Sequence, residues 1–312
     1  MRKAWWLRRR DPFCETVSTP CIKTMNTLTL TGIADEAAHD IDGQIKVHQE
    51  LGWKAIELRL VDGENAAGAL SDDAFARTVD QLEAADMTVT SFASAIGNWS
   101  RPIGEDFSID TDELKTAIPR MQRLGTKFIR TMSWIGEGVE ESIWRDETIR
   151  RYRELAKMAE DGGILLAHEN CTGWAGFGPT ETRTLIEEVG SPNLVVLFDI
   201  GNTVSHGLDT WDYYTGVKDL VRYVHVKDGR RNPDGGHSSI FTYPGEGDAM
   251  VREVLTDLLK DGYQGVIAIE PHVASIVHLK DQEPDPEAMR TSYLKYGRLF
   301  KTMVSEIQNG SS

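Results

Sequence analysis

From Met25 onward, short apolar runs alternate with longer stretches of helical period, one pair about every 27 to 43 residues. That spacing suits a strand, a helix and their two loops. The apolar runs predict strands at 27–34, 54–60, 87–93, 127–132, 164–169, 194–199, 223–227 and 266–270. Helices are predicted at 41–51, 72–85, 112–124, 141–161, 180–189, 250–259 and 286–307. Ser71 offers an N-cap to the second helix, because its hydroxyl can accept one of the free N–H groups of a first turn. Gly52, Gly125, Gly162–Gly163, Gly190 and Gly262 follow helix ends, where a left-handed residue closes the turn. Eight strands in strict alternation predict a single (β/α)8 TIM barrel. An open Rossmann sheet fits less well, since no GxGxxG run follows the first strand.

Four strands of the second half end alike. Leu166-Ala167-His168-Glu169-Asn170, Val196-Leu197-Phe198-Asp199, Tyr223-Val224-His225-Val226-Lys227 and Val266-Ile267-Ala268-Ile269-Glu270 are apolar until a polar, metal-binding residue closes them. Residues two apart share a strand face. Leu165, Ala167 and Glu169 therefore lie together, as do Val266, Ala268 and Glu270, Tyr223, His225 and Lys227, and Leu197 with Asp199. If these faces point inward, Glu169, Asp199, His225 and Glu270 converge at the C-terminal mouth, where barrels of this kind do their chemistry. Three carboxylates and one imidazole suit Mn²⁺, Mg²⁺, Co²⁺ or Zn²⁺. Any one of the four alone has a plainer reading, as a helix cap, an ion-pair partner or a buried structural histidine.

Composition narrows the classes. The formal charge of −15 disfavours nucleic acid and anionic membrane surfaces as partners. No apolar run approaches the roughly 20 residues that cross a bilayer. Cys14, Cys21 and Cys171 are too few and scattered for a disulfide framework or a thiolate zinc site, so the expectation is reduced thiols in a cytoplasmic protein. Residues 1–24 carry Arg8-Arg9-Arg10 but then Asp11-Pro12 where an export signal needs an apolar stretch. They are expected to be a disordered extension, with the catalytic domain at 25–312.

His168-Glu169-Asn170, Phe198-Asp199-Ile200-Gly201-Asn202, Val224-His225-Val226-Lys227-Asp228 and Ile269-Glu270-Pro271 resemble the xylose isomerase-like TIM-barrel family. That family includes D-tagatose 3-epimerase-type sugar epimerases, hydroxypyruvate isomerase and inosose dehydratase. The resemblance runs from Met25 to about Val304. It implies that Glu169, Asp199, His225 and Glu270 hold one divalent ion, Mn²⁺ first among the candidates. It also implies that Glu169 and Glu270 act as the acid/base pair on a small carbohydrate-like substrate, and that the chain forms a dimer or tetramer. The chemistry expected is isomerisation or epimerisation of a keto-sugar, by loss of the proton α to the carbonyl through a metal-stabilised enediolate. A lyase or dehydratase acting on a keto-sugar, inosose or keto-glycoside shares that first half-reaction and is the alternative. A repair endonuclease on the same barrel would need further histidines on the early strands, and strands two to four end without any.

Further candidates surround this set. Many sugar epimerases have His three residues after the aspartate; here Asn202 stands there, able to hydrogen-bond a hydroxyl but not to donate a proton as an acid. His206 is a candidate to replace that histidine. Lys227 either neutralises a developing oxyanion or pairs with Asp199 or Asp228. Trp99 and Trp134, past the third and fourth strands, offer faces for stacking on a sugar or plugs for the barrel rim. His272 is a candidate substrate contact. Glu57 and Arg59 share a face and either line the pocket or form a buried ion pair, the pair being the expectation. The glycine-rich loops 173–179 and 244–248 are read as mobile substrate loops, since neither carries the Lys-Ser/Thr of a phosphate cradle.

Overall fold

The computed structural model describes residues 28–238, 240–274 and 285–310. The expected N-terminal extension at 1–24 lies outside the described residues. Eight parallel strands form one sheet: β1 (Thr29–Gly32), β2 (Ala55–Leu58), β3 (Thr88–Ala93), β4 (Phe128–Ser133), β5 (Leu165–Gly173), β6 (Leu194–Asp199), β7 (Val221–Val226) and β8 (Val266–Ile269). From β2 to β8 each strand pairs with the next in sequence, and β8 pairs with β1. The remaining seam, between β1 and β2, is closed by the parallel bridge Ile33↔Glu57 and by the Thr31 hydroxyl donating to the Ala55 carbonyl at 2.8 Å. The expected (β/α)8 barrel is the fold.

Helices cover the outside: α1 (Ile41–Glu50), α2 (Asp72–Ala84), α3 (Ser108–Leu124), α4 (Glu141–Gly162), α5 (Pro179–Val189), α6 (Ile200–Ser205), α7 (Thr210–Val217), α8 (Val251–Lys260) and α9 (Pro286–Gln308). The Ser71 hydroxyl caps α2, and Gly125, Gly163 and Gly190 end α3, α4 and α5 in the left-handed region. Between β6 and β7 the chain makes two helices that the sequence pattern does not announce. α6 is one short turn started by Asp199, whose carboxylate accepts the Asn202 N–H. α7 is capped by Asp209 and buries Tyr213, Tyr214 and Val217.

The strand faces sort as alternation requires. Leu165, Ala167, Val195, Leu197, Tyr223, Val266 and Ala268 fill the barrel interior, with Phe128 beside them. Val224, Val226, Ile267 and Ile269 face the helical layer. Inward residues just above that apolar plug therefore emerge at the C-terminal rim. Register places Asp199 beside His225, and His225 beside Ala268. A bulge between Ile56 and Glu57 shifts β2 against β3, a device that re-aims side chains.

The loop after β7 is organised by one carboxylate. Asp228 accepts backbone N–H groups from Gly229 (2.8 Å), Gly245 (2.8 Å), Gly247 (3.0 Å) and Ala249 (3.2 Å). The 244–248 loop is thus tied to the barrel rim. Replacing Asp228 with Asn puts an amide donor against those N–H groups. Chemical denaturation of Asp228→Asn should show a loss of roughly 2 kcal/mol; an unchanged stability would contradict this account of the loop.

Candidate metal centre

Glu169 ends the inward face of β5, Asp199 ends β6, His225 lies on β7, and Glu270 follows β8, all of them buried. His225 Nδ1 lies 3.4 Å from Glu169 Oε1, 3.6 Å from Glu270 Oε2 and 3.9 Å from Asp199 Oδ2. One potential ligand atom from each of the four lies within 4.8 Å of every other. Four residues spread over a hundred positions of chain meet because the barrel brings consecutive strand ends to one rim. Glu169 and Glu270 flank His225, entering from strands separated by β6 and β7.

The donor set fits a divalent cation on two counts. Buried His225 Nδ1 and Glu169 Oε2 have no hydrogen-bond partner among the described residues, which is costly for polar atoms away from water, and Asp199 Oδ2 and Glu270 Oε2 share the single Lys227 ammonium. Charge gives the second. Among the described residues, Asp35, Glu36, Glu57, Glu169, Asp199 and Glu270 are buried carboxylates at or just beneath the rim, against the buried fixed cations Arg59, Arg130 and Lys227. Protons offset part of the difference. Burial pushes the Asp199 carboxyl up to about 6, although Lys227 opposes it. Burial disfavours charge on His225, yet Glu57 and the flanking carboxylates outweigh it and hold the imidazole pKa well above its usual value. A dication supplies the same charge without protonating its ligands.

The three fixed cations each touch the site. Arg59 reaches Asp35 (3.0 Å), Glu36 (3.3 Å) and Glu270 Oε1 (2.9 Å). The expected Glu57–Arg59 pair does not form: Arg59 turns to the carboxylates after β1, whereas Glu57 accepts from the Tyr223 hydroxyl at 2.6 Å and meets His225 Nε2 at 3.1 Å. Arg130 of β4 lies 3.6 Å from Glu169 and 3.8 Å from Glu270. Lys227 Nζ lies 3.1 Å from Asp199 and 3.0 Å from Glu270, and donates to Asn202 Oδ1 at 3.1 Å. Of its two expected pairings, the structure shows Asp199; Asp228 instead holds the loop beyond β7. Burial alone would raise the glutamate pKa values. Arg130 lowers that of Glu169, and Lys227 and His272 carry Glu270 well below the usual range.

The remaining candidates divide. Asn202 belongs to the cluster: its amide N–H₂ donates to Glu169 Oε1 at 3.3 Å. His272 sits beside it, with Nδ1 2.8 Å from Glu36 and Nε2 3.7 Å from Glu270. Glu36, Glu270 and His272 could also converge on an ion, but the Arg59 guanidinium already lies against both carboxylates. His206 packs between Phe177 and His237, at ring separations of 5.2 and 5.8 Å, and burial lowers its pKa to about 4. Trp99 is 42% exposed. Trp134 requires correction as a stacking platform. It is fully buried, packed against Phe107 and Tyr152, and its indole N–H donates to Asp110 at 2.8 Å. Its ring faces cannot receive a sugar. Nor is the 173–179 loop free: Ala175 N–H donates to the Ser133 hydroxyl at 3.0 Å, and Trp174 to Gly176 form a buried turn.

Asp35, Glu36 and Arg130 are rim residues that the sequence reading passed over. Ile33-Ala34-Asp35-Glu36 ends its apolar run on acids as the later strands do. Arg130 interrupts an otherwise apolar and hydroxylic strand. Both were available signals.

Among proteins of known sequence, the chain is 31% identical over 200 residues to 2-epi-5-epi-valiolone 7-phosphate 2-epimerase of Actinoplanes sp., covering 64% of this chain and 67% of that protein. It is 24% identical over 230 residues to inosose dehydratase of Clostridium perfringens, covering 70% of this chain and 71% of that one. A crystal structure of the IOLI protein with a binding zinc atom superposes with a TM-score of 0.70 at 14% identity, covering 89% of this chain and 99% of the other. The relatives are thus an epimerase and a dehydratase, and the structural neighbour shares the fold. Residues 45–295 match the family model described as xylose isomerase-like TIM barrel, and the chain belongs to that family.

Proposed function

We propose that the protein is a divalent-metal-dependent enzyme that moves a proton at the carbon beside a carbonyl of a small keto-sugar, giving an isomer or epimer. The observation that carries this reading is the pair Glu169 and Glu270, two buried carboxylates flanking His225 at 3.4 and 3.6 Å from its Nδ1. Two bases at one site can take a proton from carbon and return one, and which carbon and face receive it decides between isomer and epimer.

Glu169, Asp199, His225 and Glu270 would hold the cation, which supplies positive charge against the substrate oxygens as the α-proton leaves. Arg130 keeps Glu169 ionised, and Lys227 and His272 do so for Glu270, so either glutamate can start as the base. Asn202 and Lys227, bonded to each other at 3.1 Å, are the residues proposed to bind substrate hydroxyls. Lys227 then has a second use: its ammonium can turn from Asp199 and Glu270 toward a developing oxyanion. His206, held neutral, can donate or accept toward a hydroxyl at the mouth. The dehydratase reading shares the proton abstraction and differs in expelling a β-substituent. Greater identity to the epimerase favours the first.

Two measurements test the proposal. Adding Mn²⁺ to about 100 times its Kd should stabilise EDTA-treated protein by about 2.7 kcal/mol, read as a rise in unfolding midpoint; Asp199→Asn should abolish most of that rise. No stabilisation by Mn²⁺, Mg²⁺, Co²⁺ or Zn²⁺ would remove the metal from the account. Incubation with ketoses and inososes in D₂O, followed by NMR, should show deuterium entering at the α-carbon. Glu169→Gln and Glu270→Gln should each slow it by about 10² to 10⁴-fold, and Lys227→Ala by less. Alkene formation would select the dehydratase, and equal mild losses would show that the acid/base roles are misplaced.

A further inference from the structure

Glu57 is a buried carboxylate outside the candidate ligand cluster that pairs with no arginine or lysine among the described residues. It is fully buried on β2, and its ion-pair partner among the described residues is His225. His225 Nε2 lies 3.1 Å from Glu57 Oε2 and 3.2 Å from Oε1, and the Tyr223 hydroxyl donates to Oε2 at 2.6 Å. Tyr223 is in turn within 3.0 Å of the Thr90 hydroxyl. The chain Thr90–Tyr223–Glu57–His225 crosses the barrel interior beneath the rim. The bulge between Ile56 and Glu57 falls at the residue whose side chain must turn inward.

A carboxylate can only accept, so the bond to Glu57 requires a hydrogen on Nε2. That leaves Nδ1 as the nitrogen free to give up its proton and offer a lone pair, and Nδ1 is the atom within 3.4 to 3.9 Å of the three clustered carboxylates. We propose that Glu57 is a positioning residue for the metal centre: it fixes the tautomer and ring orientation of His225, so that Nδ1 coordinates, and Tyr223 fixes Glu57. The inference rests on the metal reading above and adds a residue that reading does not need. Carboxylates placed this way behind a ligand histidine also raise its basicity. A purely structural acid, by contrast, would leave metal affinity unaffected.

The test compares wild type with Glu57→Gln by Zn²⁺ competition titration and by long-range ¹H–¹⁵N correlation of the histidine ring in the Zn²⁺-loaded protein. In wild type the His225 signals should show protonated Nε2 and unprotonated, coordinated Nδ1. Glu57→Gln should weaken Zn²⁺ binding by about 10- to 100-fold and shift the Nε2 resonance. If Glu57→Gln does not fold, Tyr223→Phe keeps the ring and the carboxylate and should weaken binding several-fold. Variants that bind Zn²⁺ as tightly as wild type, or a wild-type imidazole coordinating through Nε2, would overturn the positioning role alone. A wild type that binds no cation would overturn the metal reading and this inference with it.

Discussion

Placing six carboxylates out of water at one end of a barrel is costly, and the arrangement of the rim follows from how that cost is offset. Each buried ion loses several kcal/mol of hydration unless opposite charge stands close. Arg59, Arg130 and Lys227 supply three such charges, each touching Glu270 and at least one other acid. Glu270 is therefore the hub through which the rim's cations are linked. Burial still raises the Asp199 carboxyl pKa despite Lys227, beside His225 Nδ1, where the four potential ligand atoms converge. The same imbalance that destabilises the rim suits it to a dication, the reading proposed for the site.

The fold and the four-residue core of the site were legible because both depend on periodicity. Strand alternation put Leu165, Ala167, Leu197, Tyr223, Val266 and Ala268 inside, as found, and the last inward residue of each strand then had to lie at the mouth. Helix ends were legible where glycine or serine chemistry marked them. The α6–α7 pair was not, since α6 is a single turn containing Gly201, Thr203 and Val204, poor helix formers whose conformation is set by packing and by the Asp199 cap.

The roles of the rim's supporting residues were the least legible. Whether Arg59 pairs with Glu57 or with Asp35, Glu36 and Glu270 depends on the stagger of strands around the barrel and on one bulge in β2, neither of which leaves a mark in local pattern. Trp134 likewise reads as a mouth residue by position. Its φ of 55° and the waiting Asp110 carboxylate turn it into the packing between α3 and α4 instead. Position along a strand identifies the level in a barrel; it does not settle direction once the strand has ended.

Four residues from consecutive strands bring their potential ligand atoms to one point, and the proposed function requires that a cation bind there. Anomalous diffraction from crystals grown with Mn²⁺ tests it most directly. A single strong peak should stand between Glu169, Asp199, His225 Nδ1 and Glu270, with Lys227 displaced from its 3.0 and 3.1 Å contacts to Glu270 and Asp199. No peak at that point, with Lys227 unmoved between the two carboxylates, would contradict it.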